Sequence, residues 1–170
     1  EFFNNSNKIF DAAKLYIANR NTSGVISSIK VLSATPLYVF PGDYFVVTED
    51  ADNLALNYLV ENPDNVLIIS SMPSFSDDEG DVIALNFQGN VVDEVKYKDD
   101  WHFKLIDNAE GVALERIDPV AASQDANNWH SAASTAGYGT PTYKNSQYKL
   151  VQSINATIEL SPKVFSPDND

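Results

Sequence analysis

The sequence predicts an all-β fold built from two antiparallel layers, and three observations carry that reading. Residues 80–97 read GDVIALNFQGNVVDEVKY, two alternating apolar–polar runs joined at Gln88-Gly89-Asn90; period-two alternation around a Gly-Asn turn is a strong hairpin signal. Roughly eight short apolar stretches recur along the chain between clusters of Gly, Pro, Asn, Asp and Ser, the rhythm of a strand-and-turn protein. Hydrophobic residues make up 44% of 170 and aromatics 11%, enough to fill a core and to set wholesale disorder aside.

The elements follow in order. Glu1-Phe2-Phe3-Asn4 reads as the end of a strand, with no leading Met, so the chain is expected to be a piece of a longer protein. Lys14 to Ala18 alternates, Leu15 and Ile17 on one face and Tyr16 on the other. Turn residues from Asn19 to Gly24 separate it from a second run, Val25 to Leu32. Leu37 to Phe40 runs into the turn Pro41-Gly42-Asp43. Tyr44 to Val47 is apolar on both faces and predicts a buried strand. Between Thr48 and Glu61, acids precede Leu54, Leu56, Tyr58 and Leu59, which predicts one short helix stopped by Asn62-Pro63. Val66 to Ile69 returns to strand.

In the hairpin, a loop of Gln88, Gly89 and Asn90 would set Phe87 opposite Val91, Leu85 opposite Asp93 and Ile83 opposite Val95. Phe87, Val95 and Tyr97 would then be core residues, and Asp93 a carboxylate on the core-facing side that must find backbone amides. Ala113 to Ile117 is a further strand, with Glu115, Arg116 and Asp118 read as a surface ion-pair set. Residues 120–147 are mostly small and polar, a long loop packed down by its own side chains. Trp129 is its anchor, expected to plug the open end of the two layers with its ring nitrogen on a backbone carbonyl. The strand count is that of an immunoglobulin-like sandwich.

Taken in order, several stretches resemble the lamin tail domain, the immunoglobulin-like β-sandwich of nuclear lamins and of many secreted or surface-anchored bacterial proteins. EFFNN at 1–5, LYVFPGDYFVVTED at 37–50, the hairpin at 80–97, GVALERID at 111–118, NNWHSA with its Asn128-Trp129 pair, and Gly139-Thr140-Pro141 carry the likeness. The match runs over about residues 1–146. TPTYKNS departs from the family's Thr-Pro-Gly-x-x-Asn, and KVFSPDND at 163–170 resembles the opening of a following C-terminal module, with Asn169 in place of a glycine. The resemblance implies a domain at 1–148 and a strand or linker at 149–170. It implies a non-catalytic binding or spacer module of an exported bacterial protein, acting at the cell surface or in the periplasm.

Composition limits the partners. A net charge of −13, with 11 Lys plus Arg, repels phosphate backbones and argues against nucleic acid. No apolar run could span a bilayer, so direct membrane insertion is not expected. The partner expected is a protein or a glycan. For the glycan, Tyr138 and Tyr143 flank Gly139-Thr140-Pro141 and are the candidate stacking residues, loop packing being the preferred account of both. Asp77, Asp78, Glu79 and Asp81 could gather oxygens around calcium, but lack the EF-hand spacing; a solvated acidic turn is preferred, so no cofactor is expected beyond that calcium option. Asp168 and Asp170 form a second such pair. His102 and His130, with Ser131, lack both a third zinc ligand at motif spacing and a nucleophile elbow, so no enzyme is expected.

Overall fold

A computed structural model describes residues 1–149. The expected strand or linker at 149–170, with Asp168 and Asp170, therefore lies almost wholly outside the described residues. Within them the chain is β-rich, with eleven strands against one seven-residue α-helix. The strands are β1 (Phe2–Phe3), β2 (Phe10–Asp11), β3 (Leu15–Arg20), β4 (Ile26–Val31), β5 (Tyr38–Val39) and β6 (Tyr44–Thr48). After helix α1 (Ala51–Asn57) follow β7 (Val66–Ile68), β8 (Glu79–Asn86), β9 (Val91–Lys98), β10 (Leu114–Arg116) and β11 (Trp129–Ser131).

Four sheets result, ordered β1-β6-β7, β2-β5, β4-β3-β8-β9 and β10-β11. One core joins the first three. Ile17 of β3, Val39 of β5, Phe45 and Val47 of β6 and Leu67 of β7 pack with Ala12 and Leu32, and Leu15, Val82 and Phe2 close around them. Phe45 is 1% exposed, with Phe2 stacked on it at 5.1 Å and Phe10 edge-on at 6.0 Å. Burying such a ring is worth about 2–3 kcal/mol. Tyr16 sits on the opposite face of β3, over a second small cluster of Ala18, Ile83 and Leu85.

Antiparallel pairing fails at one place, because β6 and β7 run parallel. Parallel neighbours need a crossover of a dozen or more residues, and the stretch from Glu49 to Asn65, which contains α1, supplies it. The helix lies within the expected stretch but ends at Asn57, before Asn62-Pro63; Asp50 caps its start by accepting the Asn53 N–H at 2.9 Å.

The central hairpin forms, but out of the expected register: Leu85 pairs with Val91 rather than Asp93, two residues off, and Ile83 with Glu94 rather than Val95, one residue off. Its loop is three residues long, Phe87-Gln88-Gly89, rather than Gln88-Gly89-Asn90. Gly89 N–H donates to Asn86 O at 2.9 Å and Asn86 N–H to Asn90 O at 3.0 Å. Gly89 takes the left-handed position at φ 80°, and Asn86 Oδ1 accepts the N–H groups of both Gln88 and Asn90. The glycine's freedom and the asparagine's local bonds thus outweigh the gain from burying one ring. Phe87 falls at the first loop position and is 66% exposed, so it is not a core residue.

The pairing then shifts between Leu85↔Val91 and Ala84↔Asp93, leaving Val92 as a bulge. Residues paired across strands share a face. Val91 therefore lies on the side of Leu85, while Val95 lies with Val82 on the main-core side. Tyr97 sits opposite Gly80 and half-buried; its hydroxyl donates to Ser76 O, and a Cβ on Gly80 would stand 2.7 Å from it.

Candidate functional site

Around β10 and β11, residues from several distant stretches bond one another through Glu115 and Asn128. Glu115 is 4% exposed, not a surface ion-pair partner. Its carboxylate accepts Thr140 Oγ1 at 2.6 Å, Ser146 Oγ at 2.6 Å and Gln147 N–H at 3.0 Å. Three donors stand in for a cation, and they bind residues 140–147 to β10. Arg116 instead reaches Asp93 Oδ2 at 3.2 Å. Asn128 is buried and closes a two-way bond with the Asp118 backbone, at 2.8 and 2.9 Å. The Tyr58 ring lies so close to Gly139 that a Cβ there would come within 2.7 Å of it.

The candidate residues named from the sequence are scattered. Asp93 is not a core carboxylate on backbone amides from a neighbouring loop. Its side chain is half exposed, and it takes the Ser123 hydroxyl and Arg116, tying β9 to the loop before β11. The Val92 bulge turns it to that side. Trp129 is half-buried against Trp101, ring centroids 6.3 Å apart, and its Nε1–H donates to Ser123 O at 2.8 Å. Asp77, Asp78 and Glu79 are exposed; Glu79 pairs with Lys98 at 3.4 Å, and Asp81 faces Lys96 at 3.7 Å. No metal-ligating group of three or more occurs among the described residues.

His102 Nδ1 lies 2.9 Å from Ser131 Oγ, a pair that resembles a nucleophile and its base. Ser131 is 2% exposed, however, and its oxygen also accepts the Phe103 N–H at 2.9 Å. The pair docks the 101–103 turn on β11. Burial lowers His102 from the ordinary histidine value.

A different place is open to a ligand. A cleft of about 450 Å³ is lined by Phe3 of β1, Asp43 and Tyr44 at the start of β6, Asn62 and Asn65 of the crossover, and Thr142, Tyr143, Lys144 and Tyr148 of the last loop. Phe3 and Tyr44 stack at 4.3 Å, and Lys144 Nζ stands 4.1 Å over the Tyr148 ring. Tyr143 is half-buried there, whereas Tyr138 is 45% exposed and does not line the cleft. Burial pushes the Tyr44 phenol up to about 12, and Tyr143 is raised for the same first reason.

Thr142 is the strained point of the cleft wall. This β-branched residue is 1% exposed and sits at φ 70°, in the left-handed region, at a cost on the order of 1–3 kcal/mol. Asn62 holds it there. The Asn62 N–H donates to Thr142 Oγ1 at 2.9 Å and Asn62 Nδ2 to Thr142 O at 2.8 Å. Glu1 Oε1 accepts the Thr142 N–H at 2.7 Å. The sequence pointed to Tyr143 and placed Tyr44 at the start of a buried strand. Phe3, Asp43 and Lys144 carried no signal, and Asn62 read only as a helix stop. Set against known proteins, the chain matches no family model, no curated protein and no solved structure.

Proposed function

We propose that the chain is a non-catalytic binding module of an exported, multidomain bacterial protein, folded as an immunoglobulin-like sandwich of the lamin-tail type. The shared core of the β1-β6-β7 and β4-β3-β8-β9 sheets supports the sandwich. The lamin-tail likeness is supported by Glu115, Asn128 and Thr140, motif residues far apart in sequence, which hold one corner together.

One observation carries the functional reading. The side chains best equipped for chemistry, Glu115, His102 and Ser131, are consumed by internal bonds, while the aromatic cleft stays open. Its wall is drawn from four separate stretches and fixed by Asn62, which pre-organises a surface for binding rather than turnover. The module would hold its partner at the cell surface through this cleft.

The test is adsorption of the purified domain to bacterial cell-envelope preparations, followed by sedimentation. Saturable adsorption that Tyr143→Ala and Tyr148→Ala weaken is expected. Adsorption that is absent, or indifferent to both changes, would sink the proposal.

A further inference from the structure

We infer that the cleft between Phe3, Tyr44, Tyr143 and Tyr148 takes a neutral, pyranose-based glycan, an assignment that rests on the binding-module reading above.

The donor and acceptor pattern argues for it. Asn62 and Asn65 each use the side-chain N–H₂ to brace the wall, Asn65 Nδ2 donating to Tyr44 O at 2.8 Å. Both amide oxygens are thereby left as acceptors. Asp43 spends Oδ2 on the Phe40 N–H at 2.8 Å and keeps its other oxygen. A ligand that fits must therefore bring donors, and sugar hydroxyls are neutral donors set around a ring.

The aromatic content argues the same way. Of the four rings at the opening, Phe3 and Tyr44 stack on each other and Lys144 lies over one face of Tyr148, so Tyr143 is the ring left for the C–H face of a pyranose, a contact that needs no charge. The volume lies in the roughly 300–1,000 Å³ range of small-ligand sites, and the cleft opens to solvent as a chain-like ligand requires.

Charge disfavours the other ligands. Asp43 within the cleft and a net charge of −13 repel phosphates and carboxylates. Among the described lining residues the cation is Lys144, which already lies on Tyr148 where a cationic ligand would stack. Thr142, held off its preferred backbone by Asn62, fixes Tyr143 beside it. Strain of this kind collects at ligand clamps.

The experiment is a calorimetric titration of the domain with cellotriose, chitotriose and maltotriose, each carried into the millimolar range. Saturable binding of at least one is expected. Tyr143→Ala or Tyr148→Ala should weaken it about tenfold or more, with the melting temperature nearly unchanged, and Tyr143→Phe should retain it. No binding of any trisaccharide, or binding that neither alanine variant alters, would overturn the inference. If the domain still adsorbs to cell envelopes through the cleft while all three sugars fail, the glycan assignment falls alone. If adsorption fails as well, the binding-module reading falls with it.

Discussion

Replacing Glu115 by alanine should be among the most damaging single changes in this chain. The carboxylate is 4% exposed and is the shared acceptor of Thr140, Ser146 and Gln147. Hydrogen bonds to a charged group are worth about 1.5–3 kcal/mol each, and a buried donor left without a partner costs about 1–3 kcal/mol. The hydroxyls can rotate toward other acceptors, but the Gln147 amide cannot. The loss should come to about 3–5 kcal/mol, or about 10 °C in melting temperature for a domain of this size. Glu115→Gln keeps the volume. Its carbonyl can serve Ser146 and Gln147 while its amide donates to Thr140 Oγ1, so the cost should fall to about 1–2 kcal/mol. Urea melts give both values, and amide exchange locates the damage in residues 140–148. An alanine variant within about 0.5 kcal/mol of the parent would refute the claim that this carboxylate staples the last loop to β10.

Gly139→Ala should cost about 1–3 kcal/mol, because the new methyl group would stand 2.7 Å from the Tyr58 ring. Gly89→Ala meets no atom within 4 Å and should cost only about 1 kcal/mol, from its φ of 80°; thermal melts rank the two. Arg20 donates to both oxygens of Glu94, at 2.7 and 2.9 Å, and holds that carboxyl below its ordinary value of 4.5. The native state thus prefers charged Glu94. The stabilisation is complete above pH 4.5 and disappears as pH falls through the lowered native value. Urea midpoints of Glu94→Gln should therefore fall less steeply with acid than those of the parent. Tyr44 behaves in the opposite sense at high pH: the native state prefers the neutral phenol, raised from 10.0 to about 12 by burial. Its contribution is complete below pH 10 and lost as pH rises toward 12, so Tyr44→Phe should flatten the alkaline limb of the same titration.

The β character, the single short helix and the hairpin were legible in the sequence because they rest on local signals. Alternation of Leu15, Tyr16 and Ile17 placed those side chains on the faces they occupy, and the acids ahead of Leu54 announced a short helix. The register was not legible. Hydrophobic matching favours pairing Phe87 with Val91, but the turn obeys Gly89 and Asn86, and the Val92 bulge cannot be read from alternation. Parallel pairing of β6 and β7 was hidden for a similar reason, since a strand's own pattern does not state its partner's direction. Glu115 shows the limit from the other side. Beside Arg116 it reads as a surface pair, and only the return of Thr140 and Ser146 from 25 and 31 residues away reveals a buried acceptor. The cleft was mostly invisible for that reason too, because Phe3, Asn62 and Lys144 meet only through long-range packing.

The most direct measurement compares two pairs of variants in the cell-envelope adsorption assay. Tyr143→Ala and Tyr148→Ala alter the open aromatic cleft; His102→Ala and Ser131→Ala alter the buried pair that looks most like a reactive centre. Adsorption lost in the first pair and kept in the folded members of the second is the predicted result. Adsorption unchanged by the cleft variants and abolished by folded His102→Ala or Ser131→Ala would contradict the account.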